Sequence, residues 1–256
     1  MSEFYIGWSE GNTDAKQVKN RFFLVFLSVM FLVLILFTLK EKPFSNSQFF
    51  YGELSTIEGE LLPMPVVSLR VEVGEGFEIV PLVGFGKMGP QGALENYLDD
   101  KTYHLKLEGT LIEYNGHKVF ELTNGASSVL ESKEIKSQLP EGKMGSMMTV
   151  RGEIVDPKCF FGVMKPGYGK VHRSCAIRCI SGQIPPILAV RENGQFMRYY
   201  FIADAQGNVL MTDLHDYVGR TIEISGISFE FDNWKSIRME SVSTAYLDET
   251  ITLCSL

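Results

Sequence analysis

The chain is poor in the side chains that usually carry chemistry. Among its 256 residues there are four cysteines and four histidines. No G-x-x-x-x-G-K-[ST] phosphate loop, no helical H-E-x-x-H pair and no Ser/His/Asp arrangement can be read from it, so the common nucleotide, metalloprotease and acyl-transfer signatures are missing. Basic charge is also in short supply. Lys and Arg number 24 against 31 Asp and Glu, for a net charge of −7, which argues against a nucleic-acid partner held by a basic face. Hydrophobic content of 45% and charged content of 21% are those of a globular protein. The 24 glycines, 18 phenylalanines and 10 tyrosines favour strands joined by tight turns.

One segment is rich in what the rest lacks. Cys159, His172, Cys175 and Cys179 fall within 21 residues. Their spacing, Cys-x12-His-x2-Cys-x3-Cys, matches neither a C2H2 finger, a C-x2-C ribbon, a haem-attachment site nor a ferredoxin run. Three thiolates and an imidazole are nevertheless a sound tetrahedral donor set for zinc, and suit copper or iron as well. Gly162, Pro166, Gly167 and Gly169 let the intervening loop fold back on itself. The i, i+4 spacing of Cys175 and Cys179 puts both on one face of a helical turn, with His172 three residues before Cys175 on the same face. Lys158, Lys165, Lys170, Arg173 and Arg178 would favour thiolates or an anionic centre. Two alternatives compete with a metal. One is a structural disulfide, with Cys254 available as a fourth thiol; the other is a redox-active dithiol. His104, His117 and His215 read as surface residues of strand, hairpin and helix. Met144, Met147, Met148 and Met164 could offer thioethers to copper, but Met147 and Met148 read as core or edge residues. Gly84-Phe-Gly86-Lys-Met-Gly89 reads as a turn.

Residues 22–39, from Phe22 to Leu39, are 18 residues without a charge, long enough to span a bilayer core. A signal peptide would have a shorter apolar core and a small-x-small cleavage site, and neither is present. The expectation is a retained transmembrane helix. Lys16, Lys19 and Arg21 before it outweigh Lys40 and Lys42 after it, which favours an inner polar tail over 1–21, with Phe4, Tyr5 and Trp8 at the interface or on a partner. The remainder then lies outside the cytoplasm.

Strand signals fill the rest. Tyr103–Tyr114 alternates, Asn115-Gly116 follows, and Lys118–Leu122 returns, a hairpin pattern. Thr221–Phe231, Asp232-Asn233 and Trp234–Val242 form a second hairpin. Leu105, Leu107 and Gly109 overlay Ile222, Ile224 and Gly226 at a constant offset, and each hairpin follows a short helical Leu-x-x-Tyr, Leu94–Tyr97 and Leu214–Tyr217. The second unit adds strands at Met147–Val155, Pro186–Val190 and Arg198–Ala203. Five strands with a helix between the third and fourth is the order of an OB-fold. The expected architecture is mainly β: a transmembrane helix, then two tandem OB-like barrels over 50–135 and 145–247, joined by the polar stretch Glu131–Gly145. The Cys/His segment, 156–186, is an insertion between the first two strands of the second barrel, and 248–256 is a C-terminal tail.

The run Lys158-Cys159…Met164-Lys-Pro-Gly167…His172…Cys175…Cys179-Ile…Ile184-Pro-Pro186 resembles a motif of uncharacterised bacterial membrane-anchored proteins with no established activity. The plan of one anchor plus an OB-like barrel is also similar to the haem chaperone of cytochrome c maturation, but that family's haem-attaching histidine motif does not occur here. These features together suggest a non-catalytic, membrane-anchored accessory subunit of an envelope redox or respiratory complex, in which the Cys159/His172/Cys175/Cys179 segment binds a metal or docks a redox partner beside an integral-membrane complex, with a structural or assembly module held by a disulfide as the alternative and a thiolate enzyme as a third reading.

Overall fold

The computed structural model describes residues 13–40, 47–136, 142–192 and 195–244. The aromatic tail at Phe4, Tyr5 and Trp8, and Cys254, lie outside the described residues. Helix α1, Thr13–Lys40, holds the uncharged run. Its stretch Gln17–Lys40 is long and apolar enough to cross a membrane, with a mean hydropathy of 3.0, and none of it is buried within the protein. Within it the Ser28 hydroxyl bonds the Leu24 carbonyl and the Thr38 hydroxyl those of Leu34 and Ile35, an arrangement that leaves neither in need of water. The helix belongs to one compact unit, 1–45, and every strand to another, 46–256.

The first barrel consists of β2 (Ser55–Leu62), β3 (Ser68–Val73), β4 (Gly76–Gly84), β5 (Thr102–Tyr114) and β6 (His117–Leu122). The pairing runs β5-β2-β3-β4-β6 and closes through β6 on β5, with β4 and β6 parallel. The second barrel consists of β8 (Lys143–Val155), β9 (Ile187–Glu192), β10 (Gln195–Ala203), β11 (Thr221–Phe231) and β12 (Trp234–Thr244). It closes in the order β10-β12-β11-β8-β9, with β10 and β12 parallel. Within each barrel the strands follow one scheme: the first pairs the second and fourth, and the third pairs the fifth in parallel. That is the OB-like order expected from the sequence.

The overlay of the two hairpins has a physical basis. Gly109 and Gly226 occupy the same place in the fourth strand of their barrels. A Cβ on Gly109 would run into the Glu121 carbonyl oxygen, and one on Gly226 into that of Arg238. The strand crosses there too closely to its partner for any side chain. The Leu-x-x-Tyr pairs sit at 3-10 turns, Glu95–Tyr97 and Thr212–Tyr217, each before the fourth strand, and Leu94 and Leu214 are buried plugs. The predicted turn at Asn115-Gly116 has both residues at positive φ, 50° and 78°.

Two elements depart from expectation. Short β1 (Ser47–Phe49) pairs β5. In the stretch read as a polar linker, the described residues are mostly strand: β7 (Val129–Ile135) pairs β5, and β8 starts at Lys143. β7 is solvated along most of its length and held by cross-strand pairs Lys101–Glu134 and Lys106–Glu131, so it shows no apolar alternation.

Each barrel has its own interior, and a third core lies between them. Leu69, Leu82, Leu105, Leu107 and Phe120 fill the first barrel, while Tyr200, Ile202, Ile222, Ile224 and Ile237 fill the second. The third core joins Ile79, Val83, Ile112 and Val119 of the first barrel to Ile187, Tyr199, Phe201 and Trp234 of the second. Phe160 and Phe161 of the insertion wedge into it. Trp234 donates Nε1–H to the Ile79 carbonyl at 3.0 Å, and the Asn233 amide brackets the Ile79 backbone. The barrels are packed together, and the Cys/His segment is part of the packing.

Candidate metal centre

The segment begins where β8 ends. Asp156 is fully buried, and its Oδ1 accepts the Cys159 amide at 2.8 Å, fixing one turn of π-helix over Cys159–Val163. The Gly/Pro loop then returns the chain to His172, the residue that caps α2 (Arg173–Ser181). Along α2 the residues divide by face: Ala176 and Ile180 pack into the second barrel, whereas Cys179 and Cys175 belong to the core between the barrels.

The four residues singled out from the sequence fall into two overlapping groups, with His172 and Cys179 in different ones. Ligand atoms of Cys159, His172 and Cys175 all lie within 4.8 Å of one another, as do those of Asp156, Cys159 and Cys179, and Cys159 is common to both groups. The Cys159 and Cys179 sulfurs are 4.0 Å apart. A tetrahedron with Zn–S bonds of about 2.3 Å has an edge of about 3.8 Å, so this spacing is close to what one ion would need. Cys159, Cys175 and Cys179 are free thiols. His172 is buried, and its Nε2 lies 3.1 Å from Asp156 Oδ2. A carboxylate behind an imidazole is the usual way in which a ligating histidine is oriented.

The cation at the sulfurs was not foreseen. The nearby basic residues of the segment are spent elsewhere: Lys158 on Glu121 and two carbonyls, Lys165 on the Phe160 and Phe161 carbonyls. Lys87, from the turn after β4 in the first barrel, takes their place. Its Nζ is 2.7 Å from Cys175 Sγ and 3.8 Å from Cys179 Sγ. The turn is held against α2 by the Gly89 amide on the Gly182 carbonyl at 2.6 Å, and by Lys158 on the carbonyls of Gly84 and Gly86. A Cβ on Gly182 would collide with the Lys87 carbonyl, so only glycine allows this approach. The Gly84–Gly89 segment is the turn read from the sequence. No linear pattern could reveal that it faces the thiols from the other barrel.

Protonation follows these contacts. The hydrogen bond with Cys159 holds the Cys179 thiol below its ordinary value, and Lys87 adds to the effect. Cys159 is pushed up, first by that same bond, then by burial and the Asp156 carboxylate. The hydrogen bond to Cys175 raises Lys87. Three thiolates, a neutral imidazole and a divalent ion carry one net negative charge, which Lys87 would balance.

The other candidates lie apart from these groups. His104 pairs with Glu58 at the surface, and His215 faces the Ser181 hydroxyl. His117, expected at the surface, is half-buried among Phe161, Tyr199 and Trp234, because the second barrel covers that side of the hairpin. Met144 and Met147 are exposed on β8, and Met148 packs against the second barrel's interior. No protein family, no characterised protein and no solved structure gives a significant match to this chain.

Proposed function

We propose that this chain is a membrane-anchored accessory subunit whose strand-rich part, outside the cytoplasm, binds a thiophilic metal ion through Cys159, His172, Cys175 and Cys179 beside an integral-membrane redox complex. The observation that supports the metal reading is a pair of donor groups sharing Cys159, one with His172 and Cys175 and one with Asp156 and Cys179, with the Asp156 carboxylate also facing the imidazole. Thiols held 4.0 Å apart and unbonded favour it over the disulfide alternative. The anchor raises the local concentration of the site next to any membrane complex. The ion is zinc, copper or iron by donor type.

The test uses the full chain extracted in detergent, without chelator. The reading expects one metal ion per chain, masking of the three thiols, and loss of metal in Cys175→Ser. A metal-free chain with Cys159 bonded to Cys175 or Cys179 would overturn it in favour of the structural module. Protease cleavage of the barrels from the cytoplasmic side alone would overturn the topology.

A further inference from the structure

Lys87 and Cys175 stand closer than a hydrogen bond to sulfur needs. Their 2.7 Å separation is at the short end of N–H···O bonds, about 2.7–3.2 Å, although sulfur is a much larger atom than oxygen. The 3.8 Å from the same nitrogen to Cys179 Sγ is the ordinary length of such a contact. A direct N–S bond would be far shorter than 2.7 Å. The span fits a nitrogen and a sulfur joined through one oxygen atom.

We propose that Lys87 and Cys175 form an oxidative N–O–S cross-link, a covalent modification tying the first barrel to the insertion of the second. Three observations favour this pair over a disulfide. Cys159 and Cys179 face each other at 4.0 Å, and although Cys175 also contacts Cys179, its shortest contact is the Lys87 amine at 2.7 Å. The amine is delivered by a turn pinned at Gly89 and at the Gly84 and Gly86 carbonyls. Cys175 is half-exposed and Lys87 exposed, so dissolved oxygen reaches both.

The chemistry balances with dioxygen as oxidant. The Cys175 thiol and O2 give a sulfur-bound hydroperoxide. Lys87 gives up its ammonium proton to solvent, and the free amine attacks the oxygen attached to sulfur; the N–O bond forms and the O–O bond breaks. The leaving hydroxide takes a proton from nitrogen and departs as water. Sulfur and nitrogen each lose two electrons, and the four electrons reduce one O2. Two equivalents of a dithiol reverse the step, returning amine, thiol and water. The bridge does not depend on the metal reading. Where that reading holds, the same event removes one ligand and the balancing cation, so oxidation would release the ion.

The experiment takes the detergent-extracted chain, stripped of metal, and compares air-saturated buffer with anaerobic buffer containing dithiothreitol. Accurate mass should show a gain of one oxygen less two hydrogens, located on a linked peptide pair containing Lys87 and Cys175. One free thiol should disappear and return with dithiothreitol. Lys87→Arg and Cys175→Ser should never gain this mass. A product lighter by two hydrogens, oxygens on Cys175 without a cross-link, the same mass in Lys87→Arg, or a chain still fully reduced in air would each overturn the proposal. Metal content of the reduced chain is measured in parallel. A bridged chain whose reduced form binds no metal would sink the metal reading alone, and a metal-binding chain that never bridges would sink this proposal alone.

Discussion

The Lys158 ammonium lies 3.0 Å from the Glu121 carboxylate, and each side chain is only 5% exposed. Glu121 is on β6 of the first barrel, and Lys158 immediately precedes Cys159. The same ammonium donates to the carbonyls of Gly84 and Gly86 at 2.8 and 2.7 Å, so one cation ties the first barrel, the turn that carries Lys87, and the start of the Cys/His segment. Such a group is costly to remove singly. Lys158→Met should destabilise the chain by about 3–5 kcal/mol, because Glu121 is left as an uncompensated buried charge. Lys158→Met with Glu121→Gln should recover most of that loss. Urea unfolding of the detergent-solubilised chain checks both. Cys175 should also alkylate faster in Lys158→Met as the turn loosens; an unchanged rate would mean that the turn is held without Lys158.

Asp156→Asn tests the carboxylate that faces His172 and that also belongs to the group with Cys159 and Cys179. The amide keeps an oxygen for the Cys159 amide but loses the charge facing the imidazole. If the carboxylate orients a metal-bound histidine, metal affinity should fall by about 10–100-fold while the fold is retained. Competition with a chromophoric chelator reads the affinity. A wild-type value would show that Asp156 serves the turn and not the ligand.

The glycines of the repeat make a paired prediction. Gly109→Ala and Gly226→Ala each drive a Cβ into the carbonyl of the neighbouring fifth strand, at Glu121 and Arg238. Each should cost about 1–3 kcal/mol, the range for overpacking that the backbone must absorb. The two costs should be similar, because the positions are equivalent. A neutral result at either site would mean that the strand shifts freely there. Thermal unfolding of the two variants side by side provides the comparison.

What the sequence makes legible here is local. Both hairpins, the Leu-x-x-Tyr turns and the closing strands follow from period-two alternation and turn residues, which need only near neighbours. The four donors were visible because soft ligands are rare in this chain. What escaped was tertiary. β7 alternates nothing, since both of its faces meet water. Ile112 and Val119 point away from their own barrel and are apolar only because Phe161 and the second barrel cover them. Lys87 reaches the thiols from a turn of the other barrel. Nothing in Gly84–Gly89 distinguishes a cation aimed at Cys175 from one in solvent.

His117 should make stability depend on pH. Its ring meets Tyr199 and Trp234 edge-on, at 4.8 and 5.2 Å, and lies near Phe161. Burial lowers its pKa from 6.5, and the neighbouring Glu78 only partly opposes this, itself being paired with Lys118 at 2.7 Å. The charged imidazolium is therefore the form that the folded chain disfavours. As pH falls through 6.5 the unfolded chain takes up the proton first, so stability declines from there until pH passes below the folded-state pKa. Glu153 acts in the opposite sense. Burial raises its pKa above 4.5, so its protonation on further acidification favours the fold. The His117 effect is therefore read at the upper end of the window, between about pH 7.5 and about pH 6, which brackets the ordinary imidazole value. The urea midpoint of the wild type should fall across this interval. His117→Phe keeps a ring among the aromatic neighbours and removes the proton site, so its midpoint should fall less, and the difference between the two chains cancels every other titrating group. Equal slopes would show that the imidazole is free to protonate in the folded chain.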